Sequence, residues 1–192
     1  IERLYMKVID QEIASLKNSI SEMWALVHQQ LYNAGEAMLT GDKELAYKVI
    51  SRERRVNAFE LKIDSDCEDI IALYAPVAVD LRFVLAMYKI NTNLERLGDF
   101  AESIARFAGN LPEGVPVDPQ LIKDTRVEEM LQELLSMLTL SQEAFEKESS
   151  EIASRIFLKD NLIDEINHNS TRIIADYIEK HPGSALVGLY MA

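Results

Sequence analysis

The feature that most constrains this chain is how long its apolar residues hold a three-and-four spacing. From Ile9 through Ile13, Leu16, Ile20, Met23, Val27 and Leu31 to Met38 the rhythm holds for many turns. Residues three and four apart share one face of a helix, so a run of this kind is an amphipathic helix with one buried stripe. The spacing predicts a first helix from Ile1 to Leu39. Thr40-Gly41-Asp42 interrupts it, Gly41 being suited to a helix C-terminus and Asp42 to an N-cap. A second helix, with Leu45, Val49, Val56, Phe59, Ile63 and Ile70 as its stripe, should run to about Tyr74. Pro76 turns the chain into a third, marked by Val84, Met87, Leu94, Leu97, Ile104 and Phe107 and reaching about Ala108. Long helices joined by short turns pack as an antiparallel bundle.

The rhythm resumes after Gly109 to Pro119, the one stretch with linker chemistry. A fourth helix is expected from about Pro119 to Glu146 and a fifth from about Ser149 to Lys180. Pro182-Gly183 then turns the chain into a short start of a sixth, Ala185 to Ala192. The expected organisation is a first three-helix unit at 1–110, a linker at 111–118 and a second unit at 119–192. With only seven Gly and five Pro in 192 residues, the class is all-α.

Charge narrows the function. Thirty-two acids against 20 bases leave a net charge of −12, the wrong sign for a nucleic-acid binder or an anionic membrane surface. Metal ions or a cationic partner surface suit it better. The longest uncharged run, Ile70 to Val79, is too short to span a bilayer and contains Pro76, so no membrane insertion is expected. The lone cysteine, Cys67, falls in a helical pattern and points to a reducing compartment.

The second half repeats the first. At an offset of about 107, Asp42 falls on Ser149, Ala46 on Ala153, Val49 on Ile156, Glu53 on Asp160, Val56 on Ile163 and Asn57 on Asp164. The apolar matches follow from any shared helical period, so the shared cap, acids, Ala and turn carry the case.

Within the third helix, Glu95 and Asp99 stand one turn apart on one face. Like charges at that spacing repel by a few tenths of a kcal/mol unless something offsets them. Helices two and three fold back about Pro76, which sets Asp99 level with Glu53 and Glu95 level with Asn57, and Glu60 follows on the same face. Two readings stand side by side. Oxygen ligands facing one another across a bundle suit iron, manganese or zinc. Alternatively, Arg52, Arg54, Arg55 and Arg96 neutralise a solvated acidic face in an ion-pair network worth little. Elsewhere His28, His168 and His181 show no paired metal spacing. Arg82 beside Asp80 is expected as an ion pair or cap.

The run Ile70-Ile71-Ala72-Leu73-Tyr74-Ala75-Pro76-Val77-Ala78-Val79-Asp80-Leu81-Arg82, followed by Leu94-Glu95-Arg96-Leu97-Gly98-Asp99-Phe100-Ala101, resembles the signature of the PhoU family of bacterial phosphate-signalling regulators. The family patterns are Pro-x-Ala-x-Asp-Leu-Arg and Leu-Glu-Arg-Ile-Gly-Asp. Upstream, Glu53-x-x-x-Asn57-x-x-Glu60-x-x-x-Asp64 resembles the family's second helix.

The resemblance implies two repeated antiparallel three-helix bundles, the second incomplete here because its third helix would fall largely beyond Ala192. It implies a multinuclear iron or zinc cluster in each repeat, held through acid-x-x-x-acid pairs. Carried over by position, Glu95 and Asp99 form the helix-three pair, Glu53, Asn57 and Glu60 lie on helix two, and Asp160 and Asp164 are half of a second site. Glu53 and Asn57 stand where many members have Asp. Members are cytoplasmic, often homodimeric negative regulators of phosphate uptake and starvation signalling. They link the ATPase subunit of the phosphate ABC transporter to the phosphate-sensing histidine kinase, and they are not enzymes. Two alternatives are weighed against this: a carboxylate-bundle di-metal enzyme, and the cytoplasmic PhoU-like domain of a sodium-phosphate cotransporter. The enzyme usually needs Glu-x-x-His pairs in the core, and the sequence has a single such spacing, Glu165-x-x-His168, with no second to pair with it.

Overall fold

A computed structural model describes residues 2–111 and 117–191. It contains α1 (Glu2–Thr40), α2 (Lys43–Tyr74), α3 (Ala78–Asn110), α4 (Pro119–Thr125), α5 (Val127–Glu146), α6 (Ser150–Lys180), a 3-10 turn (Pro182–Ser184) and α7 (Ala185–Met191). The described residues contain no strand, so the fold is an all-α bundle.

The punctuation anticipated from sequence works as local chemistry. Gly41 takes φ 72°, a left-handed conformation that glycine adopts without a Cβ clash. Asp42 then caps α2, its Oδ1 accepting the Leu45 N–H at 2.9 Å. Ser149 caps α6 by accepting from Ile152 N–H, and Asp118 caps α4 by accepting from Gln120 N–H. The α2 end closes at Ala75, which is left-handed and donates its N–H to Ile71 O. By contrast α3 begins without a side-chain cap, and Arg82 is exposed, with no ion pair to Asp80 among the described residues. The expected cap or pair at Asp80 is therefore corrected.

The expected fourth helix is two helices. Arg126 takes φ 56° and separates α4 from α5. Periodicity missed this because apolar spacing is kept across the break. Arg126 is held there by Glu129 on its own side and by Glu165 of α6, its guanidinium nitrogens lying 2.7 and 2.9 Å from their carboxylates. The expected linker lies mostly outside the described residues.

Helices α1, α2 and α3 pack on one another around Leu16, Ile20, Met23, Val27, Val56, Ile63, Ile70, Val84, Met87 and Leu94. Toward the α1–α2 turn the core narrows to Ala34, Ala37, Ala46, Ala101, Ala105 and Ala108, small residues that bring the helices close. The second half docks on the first at two places. Trp24 of α1 donates Nε1–H to Leu138 O of α5 at 3.2 Å and stacks on Phe145. Phe107 and Leu111 at the end of α3 pack with Leu121 of α4 and Ile174 of α6. Phe157 and Leu158, near the start of α6, remain exposed.

Candidate metal centre

The site is a row of acids along the contact between α2 and α3. Gly98 makes the close approach possible: a Cβ there would lie 2.8 Å from Val56 Cγ1 and 3.6 Å from Glu53 Oε2. Glu53 sits deep in this contact, at 5% exposure, and neither carboxylate oxygen has a hydrogen-bond partner. Burial, then the fields of Asp99, Glu102, Glu95 and Glu60, push its carboxyl up to about 7. An acid that buried and that crowded is poorly accommodated as an anion by its protein surroundings alone.

The neighbours form a connected set. Glu60, half-buried, is raised by burial and by Asp64 and Asp99. Glu95, also half-buried, is raised by burial, by Asp99 and Glu60, and by a hydrogen bond with Asp99. Asn91 is wholly buried at the other end, donating from Nδ2 to Asp64 Oδ1 at 2.7 Å and to Glu60 O at 2.9 Å. The helices thus bring together Glu53, Glu60, Glu95 and Asp99, four of the residues expected from sequence. They add Glu102 and Asp64, legible in retrospect as the next helical steps along the same two faces. Asn57 is exposed on α2, as Asp99 is on α3, and being neutral it adds no field at Glu53.

The Arg network expected as the alternative does not form. None of the ion pairs among the described residues joins Glu53, Glu60, Glu95 or Asp99 to a base, and Arg55 instead lies over the Phe59 ring. The charge of Arg96 lowers the Glu95 carboxyl, but less than burial, Asp99 and Glu60 raise it.

Whether these residues suit a cation can be asked of the donors themselves. Unpartnered buried oxygens and mutually repelling carboxylates are what a hard or borderline cation satisfies, so the donor chemistry fits. Among the described residues no three acidic, His or Cys side chains close around one point, so loading would require side chains to rotate inward. No histidine joins the row: His28 contacts Thr139 and His181 contacts Tyr177, while His168 is exposed. In the second half Asp160 and Asp164 are both exposed on α6. Cys67 is a core residue whose thiol burial pushes up to about 12.

The chain was compared with known proteins on this footing. The PhoU domain profile matches residues 20–108 and again 127–191. A protein of Aquifex aeolicus named as a phosphate-specific transport system accessory protein PhoU homolog is 32% identical over 90% of this chain and 76% of its own length. The PhoU accessory protein of Escherichia coli is 32% identical over 87% of this chain and 68% of its own. The crystal structure of PhoU from Pseudomonas aeruginosa superposes with a TM-score of 0.87 at 26% identity, covering 95% of this chain and 86% of that one. The phosphate transport system regulatory protein PhoU from Streptococcus pneumoniae superposes at 0.79 with 28% identity, over 90% and 80% of the two chains. With the profile matched in both halves of an all-α bundle, this chain belongs to the PhoU family.

Proposed function

We propose that this chain is a metal-binding helical adaptor that restrains phosphate uptake and phosphate-starvation signalling. The observation that carries the metal is Glu53, buried with both oxygens unpartnered beside the acidic row of α3. The relatives' names, as accessory and regulatory proteins of phosphate transport, support the phosphate side of the reading. Glu53, Glu95 and Asp99, with Glu60 beside them, would hold iron or zinc, singly or as a cluster. A bound cation supplies positive charge that offsets the repulsion between these acids and ties α2 to α3. Asp160 and Asp164 would form half of a second site.

In this reading the protein acts by contact and not by catalysis. Its partners are the ATPase subunit of the phosphate ABC transporter and the phosphate-sensing histidine kinase, and it works in the cytoplasm as a homodimer. No helix among the described residues is long and apolar enough to cross a membrane. The net charge of −12 suits basic partner surfaces. A di-metal enzyme finds no support in the row, where no histidine stands beside the acids.

The test is elemental analysis of the purified, untagged protein beside a Glu95→Ala/Asp99→Ala variant. The expected result is iron or zinc at one equivalent or more in the parent and its loss in the variant, with helical circular dichroism retained. Equal metal content in the two would sink the site.

A further inference from the structure

Asn91 is the one neutral polar residue on the acid stripe of α3, where Glu95, Asp99 and Glu102 follow it at helical steps. It is wholly buried, yet its Oδ1 has no hydrogen-bond partner. The orientation of its amide is fixed by chemistry. Both groups facing Nδ2, the Glu60 carbonyl and the Asp64 carboxylate, can only accept, so the nitrogen must point to α2 and the oxygen must be left over. An unpaired buried acceptor costs about 1–3 kcal/mol, whereas an apolar side chain of similar shape at a helix contact does not. That cost offsets what the two hydrogen bonds from Nδ2 contribute, so stability alone gives little reason for Asn over Leu at this position. What Asn provides and Leu cannot is a clamp: one Nδ2 anchors the α2 backbone at Glu60 and the rotation of the Asp64 side chain.

Resting on the metal reading above, we propose that Asn91 is a positioning residue of that centre. By tying α3 to α2 at Glu60, it sets the height at which the Glu60 carboxylate meets Glu95 and Asp99, whose fields already act on one another. By holding Asp64 in a hydrogen bond, it orients that carboxylate along the row. Being neutral, it also ends the run of like charges where a carboxylate would lie against Asp64.

The experiment titrates Zn²⁺ alone into chelator-treated protein by calorimetry, on the parent and on Asn91→Leu, Asp64→Ala and the double variant, with melting of each metal-free protein alongside. Loss of an orienting hydrogen bond behind a metal ligand commonly weakens affinity about 10- to 100-fold. Asn91→Leu is expected to lose affinity in that range while its metal-free melting temperature changes little. Asp64→Ala should lose affinity by no more than Asn91→Leu does, and the double variant little more than Asn91→Leu, because the Asn91–Asp64 hydrogen bond is lost in all three. A residue that served packing alone would lower the metal-free melting temperature and leave Zn²⁺ affinity unchanged, which overturns the proposal. Additive losses in the double variant overturn it too, and since Asp64 is half-exposed, its single variant keeps the test alive if Asn91→Leu does not fold. Failure of the metal reading is distinct: the parent itself would then take up no Zn²⁺, and the proposal would fall with it.

Discussion

Replacing Glu53 by Gln in the metal-free protein tests the electrostatics of the site at their source. Folding carries this carboxyl from 4.5 up to about 7 through burial and four neighbouring acids. Between those values the folded chain holds a proton that the unfolded chain has released. Stability is therefore full below about 4.5, falls as pH rises, and the loss is complete above about 7. At ~1.4 kcal/mol per pH unit of displacement, the loss amounts to about 3 kcal/mol. Glu60 and Glu95, also displaced upward, add to it with the same sign.

Gln is neutral at every pH and nearly the same shape, so Glu53→Gln removes this contribution and leaves the packing. In chelator at pH 8 the variant should be more stable than the parent by about 2–3 kcal/mol, and at pH 4.5 the two should coincide. For a chain of this size that corresponds to about 4–12 °C in melting temperature, read by circular dichroism across the pH series. Added Zn²⁺ should reverse the order at pH 8, stabilising the parent and not the variant. If parent and variant melt together at pH 8 in chelator, Glu53 is not held against its charge and the reasoning fails.

Packing around the site makes further predictions. Gly98→Ala places a methyl against Val56, which is β-branched and stiff, and should cost about 1–3 kcal/mol in denaturant unfolding whether or not metal is present. Gly35→Ala meets Leu131 Cδ2 more closely still, but that atom ends a flexible half-buried side chain. Helix propensity favours Ala over Gly by about 1 kcal/mol, so Gly35→Ala should be close to neutral in the same assay. Trp24→Phe loses the bond to Leu138 O and should cost about 1 kcal/mol, measured by urea unfolding followed by circular dichroism. Cys67, buried with its thiol raised to about 12, should resist a thiol reagent in the native protein and react once it is denatured.

The helices were legible because each depends on neighbours within a few residues. Gly41, Asp42, Pro76 and Ser149 act through local backbone geometry, and they end or start helices within a residue or two of where the sequence places them. Arg126 was not legible: its left-handed turn leaves apolar spacing undisturbed, and its partner Glu165 lies on another helix. The pairing of Glu53 with Asp99 could be read from two helices folding back about one proline. Its depth could not.

By itself, then, the sequence determined which residues form each helix, which face each buries and that acids line one side of α2 and α3. Those properties follow from 3.6-residue periodicity and from caps that reach no further than a turn. Only the tertiary structure decided that Glu53 is buried in the helix contact beside Gly98, that both its oxygens go unpartnered and that Asn91 joins Asp64. Burial and field are sums over side chains distant in sequence, and they take their values only when two helices settle at a particular separation and height.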